Sequence, residues 1–269
     1  VAGLVLGVIF LVLGYGRFFE IIERYVPQSV VRGIQLGLAL LLFRSSAGFI
    51  LEDPLFFGIG IAVIAGFLLV RFRGIPDLSS ICVIAVGLIG GIVLFGLPPI
   101  SLIPAPRLVI PLTTDVIPAL SDLVLPQVVL TIANAILATS LLTKDLFGRD
   151  VPPKKFSTTI GLMNLTSVPF GGFPMCHGAG GLAGQYRYGA RTGGANVYAG
   201  LIFIVLALFF TSPQVLSLIA VGVLGALLVF VGIEMGRHSL KSDSLVVTVV
   251  IGILALVSSI TLAFIAGMV

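Results

Sequence analysis

The chain has 269 residues, of which 58% are hydrophobic and only 10% charged, with a mean hydropathy of +1.22. Soluble domains carry about 25% charged residues, so this composition excludes an ordinary soluble enzyme and predicts an all-α polytopic membrane protein. The formal charge of +4 fits Lys and Arg marking one side of a membrane and does not call for nucleic acid.

In chain order, the first apolar run is Val1 to Gly14, with no initiator Met and no charged flank. It lacks the basic start and cleavage site of a signal peptide, so further chain is expected upstream. Tyr15 to Arg32 contains RFFEIIERYVP, whose apolar residues recur at helical spacing between charges; an interfacial helix is expected. Spans follow at 31–49, 55–70 and 79–97, each close to the length that crosses about 30 Å of hydrocarbon. Gly96 to Pro118 holds six prolines and reads as a loop. Further spans are predicted at 117–143, 157–173, 195–211 and 213–233. The last stretch, 244–268, reads equally as one tilted helix or as two half-spans broken near Ser258 and Ser259.

Alternating these spans sorts the cations. Arg17, Arg32, Arg71, Lys144, Arg187, Arg237 and their neighbours fall on one side, leaving Arg44 and Arg107 for the other. The sorting works only if 174–186 is a return crossing, although it is too short and glycine-rich for a full helix.

That segment, FGGFPMCHGAGG and its continuation, is where chemistry is expected. Pro174 lacks an N–H and disfavours helix at Phe173. Beyond His177, GAGGLAGQYR can wind into a half-helix whose first N–H groups have no partner within the helix and attract anions. Broken helices aimed at anionic substrates recur in transporters; close helix packing through small residues is the alternative use of such glycines. His177 either donates to an oxyanion or bonds a neighbouring carbonyl to hold the break open. Gln127, Thr131 and Asn134 stand at i, i+4 and i+7, one face of an α-helix, and either line a cavity or join helices. Candidate binding residues are therefore Gln127, Asn134, Met175, Cys176, His177, Gly178, Ala179, Gly180 and Gly181. Asp122 and Glu234 are placed at the interface, and Arg187 and Arg191 read as anchors. Two Cys and two His are thin material for a metal site, no phosphate-binding GxxxxGK[ST] run is present, and neither cofactor nor catalytic residue is expected.

PFGGFPMCHGAGGLAGQYRYGARTGG (169–194), LPQVVLTIANAILAT (125–139) and VPQSVVRGIQLGLAL (26–40) together resemble the molybdate transporter family within the sulfate-permease superfamily. The resemblance implies two inverted seven-span repeats, divided into core and gate, with substrate held between two facing broken helices. By position it implies gate-type helices at 1–97, an outer loop at 98–116, core-type helices at 117–211 and terminal gate-type helices at 212–269. It also implies that the first four spans, carrying the partner half-site, are absent from this sequence. The expected activity is secondary active transport of molybdate across the plasma membrane, by a protein for which a homodimer is admissible. Sulfate transport, an anion channel and a non-transporting membrane fragment are the alternatives.

Overall fold

The computed structural model describes residues 1–16, 18–70, 78–103, 108, 117 and 119–268. The expectations for Arg17, Arg71, Arg73 and Arg107, for most of the loop 98–116 and for the side chain of Asp122 lie outside the described residues. The described chain is helical, and the all-α polytopic reading stands. The helices are α1 (Ala2–Tyr15), α2 (Phe18–Tyr25), α3 (Gln28–Glu52), α4 (Pro54–Val70), α5 (Ser79–Phe95), α6 (Leu125–Phe147), α7 (Pro153–Ser167), α8 (Ala179–Arg187), α9 (Gly194–Phe209), α10 (Val221–Ser239), α11 (Leu245–Val257) and α12 (Ile260–Gly267). Among the described residues, α3, α6 and α10 are each long and apolar enough to cross a membrane, and α1, α4, α5, α9 and α11 are shorter apolar helices.

Several boundaries differ from the hydropathy reading. The span expected from 213 is not helical at its start: Pro213–Leu218 forms 3-10 turns, Ser212 accepts from Gln214, and α10 begins only at Val221. It then runs past Glu234 to Ser239. The final stretch is two helices, because Ser258 leaves helical geometry and Ser259 caps α12 by accepting the Leu262 N–H at 3.1 Å. Arg32, sorted as a loop cation, sits inside α3 with 2% of its surface exposed and is paired with Asp145. Its position in the sequence was close to a span end, and hydropathy does not show that its charge is neutralised internally.

The chain forms two compact units. The first comprises Val1–Leu40, Pro106–Leu182 and Met235–Val269. There α1 lies along α7, and glycine is what brings the backbones together. A Cβ on Gly161 would meet the Leu11 nitrogen at 2.7 Å and the Gly7 carbonyl oxygen at 2.9 Å. Ser157 donates to the Phe10 carbonyl at 2.7 Å across the same seam. Small residues and interhelical hydroxyl bonds replace the hydrophobic drive that lipid cannot provide. α3 packs similarly on α11, where a Cβ on Gly33 would meet Ile251 at 2.5 Å and Thr248 donates to the Ser29 carbonyl at 3.1 Å.

The second unit comprises Leu41–Ala105 and Ala183–Glu234. Its core is Ile64, Val83, Val223 and Ala226. One carboxylate, Asp53, caps two helices here: Oδ1 accepts from the Phe56 N–H of α4 and Oδ2 from the Gly222 N–H of α10, each at 3.2 Å. Extended chain after α5 pairs in parallel with the end of α9 at Ser101 and Phe210.

Candidate functional site

The broken segment is built by its connection to α7. After Ser167 the chain tightens into a 3-10 turn, Val168–Phe170, closed by Gly171 at φ +83°. That left-handed conformation favours glycine. From Gly172 to Gly178 the chain is not helical. It runs back along α7 and is tied to it at two points.

The first tie is Asn164, 1% exposed. Its Nδ2 donates to the Met175 carbonyl at 2.6 Å and its Oδ1 accepts the Met175 N–H at 2.9 Å. The same Nδ2 also donates to the Ile160 carbonyl at 2.8 Å. The side-chain amide thus supplies Met175 with the two bonds that a neighbouring strand would give. The second tie joins His177 Nε2 to the Thr159 hydroxyl at 2.7 Å, with the Phe156 ring edge-on to the imidazole at 5.3 Å. Thr159 is also within 3.0 Å of the Lys155 and Phe156 carbonyls. The tautomer of the imidazole sets which of the two atoms donates. The spacing suits an antiparallel strap: five helical residues rise about 7.5 Å and two extended residues about 6.6 Å.

α8 begins directly after this strap. Its first intrahelical bond of this kind runs from the Leu182 N–H to the Gly178 carbonyl at 3.0 Å, so the N–H groups of Ala179, Gly180 and Gly181 belong to the turn that lacks helical acceptors. No acidic side chain lies in that turn to offset the partial positive charge. Ala179 and Ala183 are fully buried and anchor one face. On the other, a Cβ at Gly181 meets nothing within 4 Å, and one at Gly178 meets only the Gly181 nitrogen at 4.0 Å. Packing therefore does not require glycine at either position.

Gln127 and Thr131 do share a face, as expected, with Gln127 Nε2 donating to Thr131 Oγ1 at 3.2 Å. Together with Asn164, Pro174, Met175 and Cys176 they line a small cavity of about 20 Å³, room for a single water. Asn134 is not among its lining residues. The helix widens into π-helical winding over Thr131–Ala138, and i→i+5 bonding takes Asn134 out of the α-helical line through Gln127 and Thr131. The Asn134 Oδ1 is buried with no hydrogen-bond partner. His177 likewise faces Thr159 and Phe156 of α7 rather than that cavity.

Arg187 and Arg191, read as anchors, rest on aromatic rings: Arg191 lies 3.8 Å from the Tyr186 centroid, and Arg187 lies 5.5 Å from that of Phe230. Asn164 is the residue that sequence reasoning missed. Its only signal is being a lone amide in the apolar run GLMNL.

Residues 119–235, which run from just before α6 into α10 and include the strap and half-helix, match the model of a family described as a molybdate transporter of the MFS superfamily. Over that stretch the chain is similar to molybdate transporters. The chain is 38% identical over 151 residues to Molybdate transporter 2 of Arabidopsis thaliana and 40% identical over 153 residues to Molybdate transporter 1 of that plant. These matches cover 54% and 53% of this chain and 32% of each relative. Molybdate transporter 1 of Chlamydomonas reinhardtii is 41% identical over 128 residues, 43% of this chain and 24% of the relative. The matched chain thus spans a third or less of these curated relatives. The molybdate transporter family is one of membrane transporters, not enzymes. Its description names the MFS superfamily, whereas the sequence resemblance implied the sulfate-permease superfamily.

Proposed function

We propose that the protein is a secondary active transporter of molybdate in the plasma membrane, and that the start of α8 grips the anion. The observation that carries this reading is the open face at Gly178 and Gly181 beside first-turn N–H groups that lack helical acceptors and acidic neighbours. Donors held on fixed backbone suit an oxyanion that must be bound and released. His177 lies beside that terminus on the strap with Met175 and Cys176, and Gln127 and Asn134 support the strap and half-helix from α6 rather than touching the anion.

A cavity of about 20 Å³ is water-sized, so the anion would sit on the open side of the half-helix, not between Gln127 and Asn164. A facing half-site from the family's other repeat would complete the enclosure. Transport would follow from movement of gate-type helices (1–97 and 212–269) against core-type helices (117–211). Within that movement α1 and α7 would travel together, because their backbones are seamed at Gly161 and Ser157.

Labelled molybdate uptake by the full-length protein tests the reading, with His177→Ala and Gln127→Ala beside wild type. A raised KM in either variant supports it; wild-type affinity in both removes the proposed side chains from the site. Sulfate included as competitor measures the selectivity between two tetrahedral dianions.

A further inference from the structure

A polar chain from Asp145 through Arg32 and Gln35 ends on the π-helical stretch of α6. Asp145, in the last turns of α6, pairs with both terminal nitrogens of Arg32 on α3, Nη2 to Oδ1 at 3.1 Å. Arg32 Nη1 also donates to Gln35 Oε1 at 3.1 Å. Gln35, itself fully buried, donates through Nε2 to the carbonyl of Ala138 at 3.0 Å.

Ala138 is the last residue of the π-helical stretch. Where π winding returns to α, the ladder shifts by a residue and carbonyls lose their usual amide partners. Two side chains reach carbonyls at this return: Thr139 Oγ1 donates to the Asn134 carbonyl at 3.0 Å, and Gln35 Nε2 to that of Ala138 at 3.0 Å. The direction of the Gln35 amide is fixed chemically. Arginine only donates, so Oε1 must face Arg32 and Nε2 must face Ala138. Asp145 in turn fixes the guanidinium. Buried ion pairs contribute little net stability, and ionisable groups inside membrane proteins are costly enough to point to function.

We propose that Asp145, Arg32 and Gln35 are positioning residues that hold the π register of α6 and thereby set the orientation of Asn134. The uptake arm of the test rests on the molybdate reading; the thiol arm does not. In the full-length protein, Gln35→Leu and Gln35→Glu both remove the donor to Ala138, the second while keeping a partner for Arg32. Each raises the KM for molybdate about tenfold with a smaller change in maximal rate, the scale of coupling through a packed network. The exchange Arg32→Asp with Asp145→Arg rebuilds an ion pair but presents an acceptor to Gln35, reversing its amide. It therefore restores the membrane abundance lost in Asp145→Arg alone and leaves KM raised.

The thiol arm uses Asn134→Cys in a background of Cys82→Ser and Cys176→Ser. Gln35→Leu and Gln35→Glu each change its maleimide modification rate by about fivefold, within the coupling range for a shifted element. An unchanged rate in both folded variants overturns the proposal, as does an exchange that restores KM together with abundance. If wild type carries no molybdate while the thiol rate still responds to Gln35, the transport reading fails and the relay stands.

Discussion

Asn164 holds Met175 by both edges of its amide, accepting the backbone N–H at 2.9 Å and donating to the carbonyl at 2.6 Å. A side chain on α7 thereby fixes the height at which the strap passes, and the strap fixes where α8 begins.

Replacing Asn164 by Asp keeps the acceptor but loses the donor to both Met175 and Ile160. Each buried group left unpaired costs about 1–3 kcal/mol. We expect a lower Tm in detergent and faster maleimide labelling of Cys176, which lies exposed beside Met175. Asn164→Ala goes further in the same direction. Wild-type Tm and labelling in both variants contradict the clamp.

Glycines of the chain separate into two kinds, and alanine distinguishes them. Gly161→Ala drives a methyl into the backbone of α1 and should destabilise by about 1–3 kcal/mol, the usual cost of overpacking. Gly181→Ala enters open space, and helix propensity favours it by up to about 1 kcal/mol. Its Tm should hold or rise while molybdate affinity falls. The opposite order of Tm values would reverse the assignment of which glycines pack and which leave room.

Asp53 offers a test free of any assumption about substrate. It accepts from the first turns of two helices, and a lost N-cap costs about 0.5–2 kcal/mol each. Asp53→Ala should therefore be destabilised by more than Asp53→Asn, which retains one acceptor oxygen. Equal Tm values for Asp53→Ala and wild type would mean that the shared cap contributes nothing.

Thr159→Val removes the hydroxyl that His177 bonds while keeping side-chain shape, and Thr159→Ser retains it. The account predicts weaker molybdate uptake for valine and near-wild-type uptake for serine. Equal uptake by all three would show that His177 needs no support from α7.

Much of the site's outline was legible in sequence, because Pro and Gly act locally. Pro174 forbids a helical N–H, Gly171 permits the left-handed turn, and the small residues after His177 allow the half-helix, all without tertiary information. The pairing of Gln127 with Thr131 followed from α periodicity. Asn134 did not, since nothing in TIANAILA announces that the backbone will widen at Thr131. Asn164 and Arg32 were hidden for a related reason. A lone polar residue in an apolar run shows that a partner must exist, but that partner is 11 residues away for Asn164 and 113 away for Arg32. Only the packing of helices decides it. Arg32 therefore looked like a membrane-side cation and is a buried ion-pair partner.

The most direct test of the central claim is equilibrium binding of molybdate to purified full-length protein, comparing wild type with Gly181→Val. Valine occupies space that glycine leaves open at the start of α8, where an added Cβ meets nothing within 4 Å. Saturable binding by wild type that is lost or strongly weakened in folded Gly181→Val is the result predicted. Equal affinity in the two proteins would contradict an oxyanion held at that helix terminus.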